Sequence, residues 1–79
     1  MNYSYYLKEN KISDELGEEH TVYGIEAISK TGDVLQSFAD IFFDRKKAER
    51  LVTLCNDGEL SLLHFADAVE DALIEQNAL

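Results

Sequence analysis

The sequence predicts an α+β domain: a three-stranded antiparallel meander followed by two α-helices packed on one sheet face, in the order β-β-β-α-α. Three observations carry this expectation. Apolar and polar residues alternate with a period near two as far as Phe42. From Asp44 onward the apolar spacing lengthens to that of a helix. No proline occurs anywhere to interrupt either pattern. At 79 residues the chain has room for one hydrophobic core, so residues 1–79 read as a single small domain.

The elements follow in order. Tyr3 to Ile12 is rich in aromatics, with Tyr3, Tyr5 and Leu7 alternating against polar neighbours, and reads as the first strand. Ser13 to Glu19 is turn material containing a glycine, too long for a two-residue hairpin. His20 to Ser29 is β-branched and aromatic, a second strand. Lys30-Thr31-Gly32-Asp33 is a tight connection, and Val34 to Phe42 is a third, less regular strand. Asp44 is placed to cap a helix whose apolar stripe is Ala48, Leu51, Val52 and Cys55, at i, i+3, i+4 and i+7. Asn56-Asp57-Gly58 ends that helix, with Gly58 suited to a left-handed position. Ser61 caps the next helix, and Leu60 and Phe65 stand at the two positions of a hydrophobic staple. Leu62, Phe65, Ala66, Val69, Ala72 and Leu73 form the buried stripe of this second helix, with Asp67, Asp71 and Glu75 on another face.

If the odd-numbered strand positions point toward the helices, Tyr3, Tyr5, Leu7, Tyr23, Ile25, Ala27, Leu35, Ala39 and Ile41 form the inner face. Tyr6, Val22, Ile28, Val34 and Phe38 then lie on the outer face, enough apolar surface to suggest a partner that covers it. The alternative is a bulge or register change that turns some of them inward.

Charge narrows the function classes. Sixteen acids against seven bases give a net charge of −9. Residues 1–50 hold all the bases and are net −3; residues 51–79 hold six acids and no base. Such a surface repels phosphate backbones and anionic lipid heads, so neither nucleic acid nor membrane is expected as a partner. No apolar run approaches the roughly 20 residues that span a bilayer, and the N-terminal residues lack a signal-peptide pattern, which predicts a cytoplasmic protein. The single Cys55 leaves no internal disulfide framework.

Few residues could carry chemistry. His64, Asp67 and Asp71 fall within about 60° of one another around the second helix, the weak outline of a metal site or general base. A first-turn histidine beside a solvated acidic stripe explains the same residues, and no metal or other cofactor is expected. Arg45, Lys46 and Lys47, with Arg50 after them, cluster where a helix dipole disfavours cations. They suggest an anion site, or else neutralisation by Asp40, Asp44 and Glu49 or by the acidic helix of a second copy. Cys55 lies on an apolar stripe as a small hydrophobe. The glycines match no phosphate-cradling spacing, and the acidic second helix does not suit a helix-turn-helix reader of DNA.

The tyrosine-rich first strand, Val22-Tyr23-Gly24-Ile25-Glu26, and the run Asn56-Asp57-Gly58-Glu59-Leu60-Ser61-Leu62-Leu63-His64 leading into Asp67-Ala68-Val69-Glu70-Asp71 resemble a family. It is a domain-of-unknown-function family of short proteins from Gram-positive, mostly clostridial, bacteria. The resemblance covers most of the chain and departs at Phe65 and Ala66, where a more aliphatic pair is expected. It implies a cytoplasmic location and no assigned activity. The expectation is thus a non-enzymatic interaction or regulatory module, homodimeric or bound to another protein. It would use the outer sheet face or Asp67, Asp71 and Glu75. The alternative is a small-ligand or metal-binding protein with its site near the start of the second helix.

Overall fold

The structure, a computed structural model, describes residues 2–77. Three antiparallel strands, β1 (Tyr3–Ser13), β2 (Glu19–Ser29) and β3 (Val34–Phe42), form one open sheet in the order β1-β2-β3. Two helices follow, α1 (Arg45–Asp57) and α2 (Leu62–Asn77). The core is a single cluster: Tyr5, Ile25, Ala27, Ile41 and Phe42 from the sheet, Ala48 and Cys55 from α1, Phe65 and Val69 from α2. The expected stripes on both helices supply these contacts, with Leu51, Val52, Leu62, Ala72 and Leu73 packed around them. Ala66 is the exception and is exposed.

The β1–β2 connection is organised by Asp14. Its Oδ1 accepts the N–H groups of Leu16 and Glu18, each at 2.9 Å, and its Oδ2 lies 2.8 Å from His20 Nε2. The His20 hydrogen bond, then the Glu18 N–H, hold the Asp14 carboxyl below its ordinary range. The β2–β3 turn closes through Gly32, at φ 91°, whose N–H donates to Ser29 O at 3.0 Å.

Strand β1 pairs with β2 in unbroken register, from Tyr3↔Ser29 to Ser13↔Glu19. Strand β3 does not. It pairs Val34 with Ile28 but Gln36 with Ala27, so Leu35 is an extra residue. Past that bulge the parity reverses: Phe38 stands opposite Ile25 and faces the helices, its ring 5.1 Å from that of Phe65 and edge-on to it. Phe38 therefore belongs to the inner face and not the outer one, while Leu35 (46% exposed) and Ala39 leave the inner face for solvent. A second irregularity fits four steps of β3, Phe38 to Phe42, against two of β2, with Asp40 in the left-handed region at φ 58°. Here β3 folds over Gly24, and a Cβ at that position would sit 2.2 Å from Phe38 O and 2.8 Å from Ala39 Cα. Val22, two residues away on the same strand, is also buried, though apart from the main cluster. It is not available as an outer contact.

The turn between the helices is held from the sheet. Tyr5 Oη donates to Leu60 O, and Tyr3 Oη accepts the N–H of Leu62 at 3.0 Å, serving the first N–H of α2. Ser61 precedes α2 as expected, and its carbonyl accepts the N–H of His64. Asn56 makes two bonds to Tyr5: Oδ1 accepts the Tyr5 N–H at 2.8 Å, and Nδ2 donates to the Tyr5 carbonyl at 2.9 Å. Burial, reinforced by Tyr3 and Cys55, pushes the Tyr5 phenol up to about 12.

The end of α1 corrects the expected cap. Gly58 is right-handed at φ −84°, and the left-handed residue is Glu59 at φ 48°. Leu60 N–H bonds to Cys55 O and Glu59 N–H to Asn56 O, the two bonds of a Schellman closure. Leu60 packs against the cluster that contains Cys55, and that contact places the turn one residue past the glycine. A left-handed residue with a Cβ is strained. Glu59→Gly is expected to stabilise the domain by about 0.5–1 kcal/mol, part of the relief being offset by the freer unfolded chain. A urea midpoint equal to or below wild type would contradict this.

Candidate functional site

On α1, a row that runs along one edge of the buried stripe and includes its Leu51 recurs at i, i+3, i+4 and i+7: Lys47, Arg50, Leu51 and Leu54. On α2 the same spacing gives Ala68, Asp71, Ala72 and Glu75. These two rows line a groove between the helices. Toward the start of α1 it holds a hollow of about 180 Å³, bordered by Phe42, Lys47, Arg50, Leu54, Ala72 and Glu75. Toward the turn it opens into a shallower one of about 340 Å³, reaching Leu60, Ala68 and Asp71. One wall is cationic with long side chains, and the other is acidic with two alanines. No ion pair among the described residues crosses between them. Leu54 is 63% exposed at the rim.

The three cations of the candidate anion site do not converge. Consecutive helical residues diverge by about 100°, so Arg45, Lys46 and Lys47 point three ways. Arg45 Nε lies 2.7 Å from Glu49 and its Nη1 3.3 Å from Glu9, and the bond to Glu49 is the main reason its guanidinium holds its proton more tightly. Lys46 gives its backbone N–H to the Asp44 cap at 2.9 Å, and Lys47 borders the groove. Local pairing with acids accounts for Arg45.

The three acids singled out on α2 follow one another at i, i+4 and i+8, about 40° apart, and two of them border the groove. Asp71 and Glu75 face α1 across the groove, whereas Asp67 lies in an outward row with Leu63, Glu70 and Ile74. His64 Nδ1 is 4.0 Å from Asp67 Oδ2, both exposed, and Asp71 does not join them. Among the described residues, the cluster with three metal-type donors lies elsewhere, at Asp14, Glu18 and His20. All three are exposed, and the Asp14 oxygens are already taken by backbone N–H groups and the imidazole, so loop closure explains the arrangement. The spacing Asp14, Glu18, His20 across one β-hairpin connection and the start of β2 was the sequence signal for it. Cys55 is buried, and burial pushes its thiol up, away from the reactive thiolate.

Of the five outer-face candidates, Tyr6, Ile28 and Val34 remain. Tyr6 and Val34 are exposed, but the ion pair Lys8–Glu26, at 3.1 Å, lies among them, Glu26 being opposite Tyr6. The face is mixed and not a continuous apolar surface.

Among the described residues, no helix is long and apolar enough to cross a membrane. Neither a curated protein nor a solved structure matches the chain. A family profile does match, over residues 1–75, and with it the chain belongs to the DUF6514 family, a family of unknown function.

Proposed function

We propose that the protein is a cytoplasmic, non-enzymatic interaction module that docks a basic protein surface through the outward face of α2. The observation that carries this reading is one row on that helix, Leu63, Asp67, Glu70 and Ile74, at i, i+4, i+7 and i+11. Its two aliphatic ends are 82% and 63% exposed, and the acids between them are exposed as well. No lysine or arginine follows Arg50 to neutralise them. Apolar anchors flanking acids suit a partner that offers an apolar surface among lysines and arginines, with charge setting approach and register. The same charge disfavours nucleic acid and anionic lipid. The sealed Cys55 and the open position of His64 favour binding over catalysis.

The test is affinity capture from native cells with three baits: wild type, Asp67→Lys with Glu70→Lys, and Leu63→Ser with Ile74→Ser. All four positions are exposed, so the fold is retained. A specific partner held by wild type should fall about tenfold or more with each variant. Equal recovery with all three baits would remove the outward row of α2 from the interaction and overturn this reading.

A further inference from the structure

We infer that the α1–α2 groove is the interface of a homodimer, filled by the same groove of a second copy related by a two-fold axis running along it. A two-fold interface must be self-complementary, since one patch meets itself. The two walls of this groove have that property. The α1 wall carries the long side chains Lys47, Arg50 and Leu54, and the α2 wall carries Ala68, Ala72 and the acids Asp71 and Glu75. Lys47 and Arg50 share the hollow near the start of α1 with Glu75, and Leu54, which borders both hollows as Glu75 does, shares the one near the turn with Ala68 and Asp71, so opposite features stand at similar heights.

A two-fold axis parallel to the groove lays each α1 over the α2 of the other copy at that same height. Leu54 of each copy then enters the space left by the small Ala68 and Ala72 of the other. Lys47 and Arg50 approach Glu75 and Asp71, and both sets of contacts occur twice. The product is a four-helix layer between two sheets, with large residues seated against small ones as in helix bundles. Among the described residues of one copy these charges make no ion pair across the groove, and Leu54 stays largely exposed, as expected of surfaces shaped for another molecule. The net charge of −9 opposes any association that does not match bases with acids, so the pairing of walls selects the register. These residues are not those of the outward α2 row, and either interaction can exist without the other.

The experiment is sedimentation equilibrium of the full chain as wild type, Leu54→Glu, Arg50→Glu and Glu75→Lys, and as an equimolar mixture of the last two. Wild type should be dimeric. Leu54→Glu should be monomeric with unchanged circular dichroism. Arg50→Glu and Glu75→Lys, each placing like charges together twice, should each dissociate about tenfold or more readily. Their mixture should recover the dimer. In the mixed pair the two substituted side chains, now an acid and a base, meet on one side, and the unsubstituted Arg50 and Glu75 meet on the other. Asp67→Lys with Glu70→Lys should leave the dimer intact, whatever its effect on partner capture. A monomeric wild type, or a mixture that dissociates as readily as its components, overturns the proposal. So does a groove that takes up a foreign amphipathic helix while two copies stay apart.

Discussion

Gly24→Ala is expected to unfold the domain or leave it barely folded. The added methyl group would meet a backbone carbonyl oxygen at 2.2 Å and a Cα at 2.8 Å, and neither can rotate aside as a side-chain tip could. Strand β3 would have to lift off the centre of the sheet, undoing the fold-over between Phe38 and Phe42 that brings Ile41 and Phe42 into the core. Overpacking of this kind costs about 3 kcal/mol, and more when the backbone must move. A chain of this size holds roughly 4–12 kcal/mol in total, at ~0.05–0.15 kcal/mol per residue. Urea unfolding followed by circular dichroism measures the loss. A midpoint within error of wild type would show that β3 does not lie on Gly24.

Phe65→Ala should have an effect of similar size for the opposite reason. Phe65 is fully buried, with its ring 4.8 Å from Tyr5 and 5.1 Å from Phe38, both edge-on. It is the point where α2 meets both edge strands. Truncation leaves a cavity and should cost about 3–5 kcal/mol. Phe65→Leu, which refills most of the volume, should recover more than half of that. Because Tyr5 also holds the Leu60 carbonyl, the cavity should loosen the turn between the helices as well. Amide exchange at Leu60 and Leu62 reports this directly: faster exchange is expected, and unchanged protection there would separate the ring cluster from the turn.

The order and type of every element could be read in the sequence, because the apolar period changes from two to nearly four residues at Asp44 and both helices carry an uninterrupted stripe. The facing of β3 could not. A bulge belongs to a pair of strands, and Leu35 carries no mark of being the extra residue. Gly24, on the neighbouring strand, was the sign that another backbone passes close by. The left-handed residue that closes α1 lies one position past the glycine that suggests the stop, because burial of Leu60 sets the turn. At the groove, Lys47, Asp71 and Glu75 stood out by charge. Leu54, Ala68 and Ala72 did not, since a wall is recognisable only once two helices are known to lie side by side. The pair of rows, each at i, i+3, i+4 and i+7, was nonetheless present in the sequence.

One consequence concerns the rim of the sheet. Strand β1 is an outermost strand, and its free backbone groups are a template on which another chain could add a strand. At Tyr5 that template is already occupied: the Asn56 amide offers one donor and one acceptor, as a peptide unit would, and bonds the Tyr5 N–H and C=O together. A side chain from the end of a helix thus takes the place of a fourth strand for the length of one residue. The helix is tied to the strand by the same two bonds that deny an incoming chain its first foothold there.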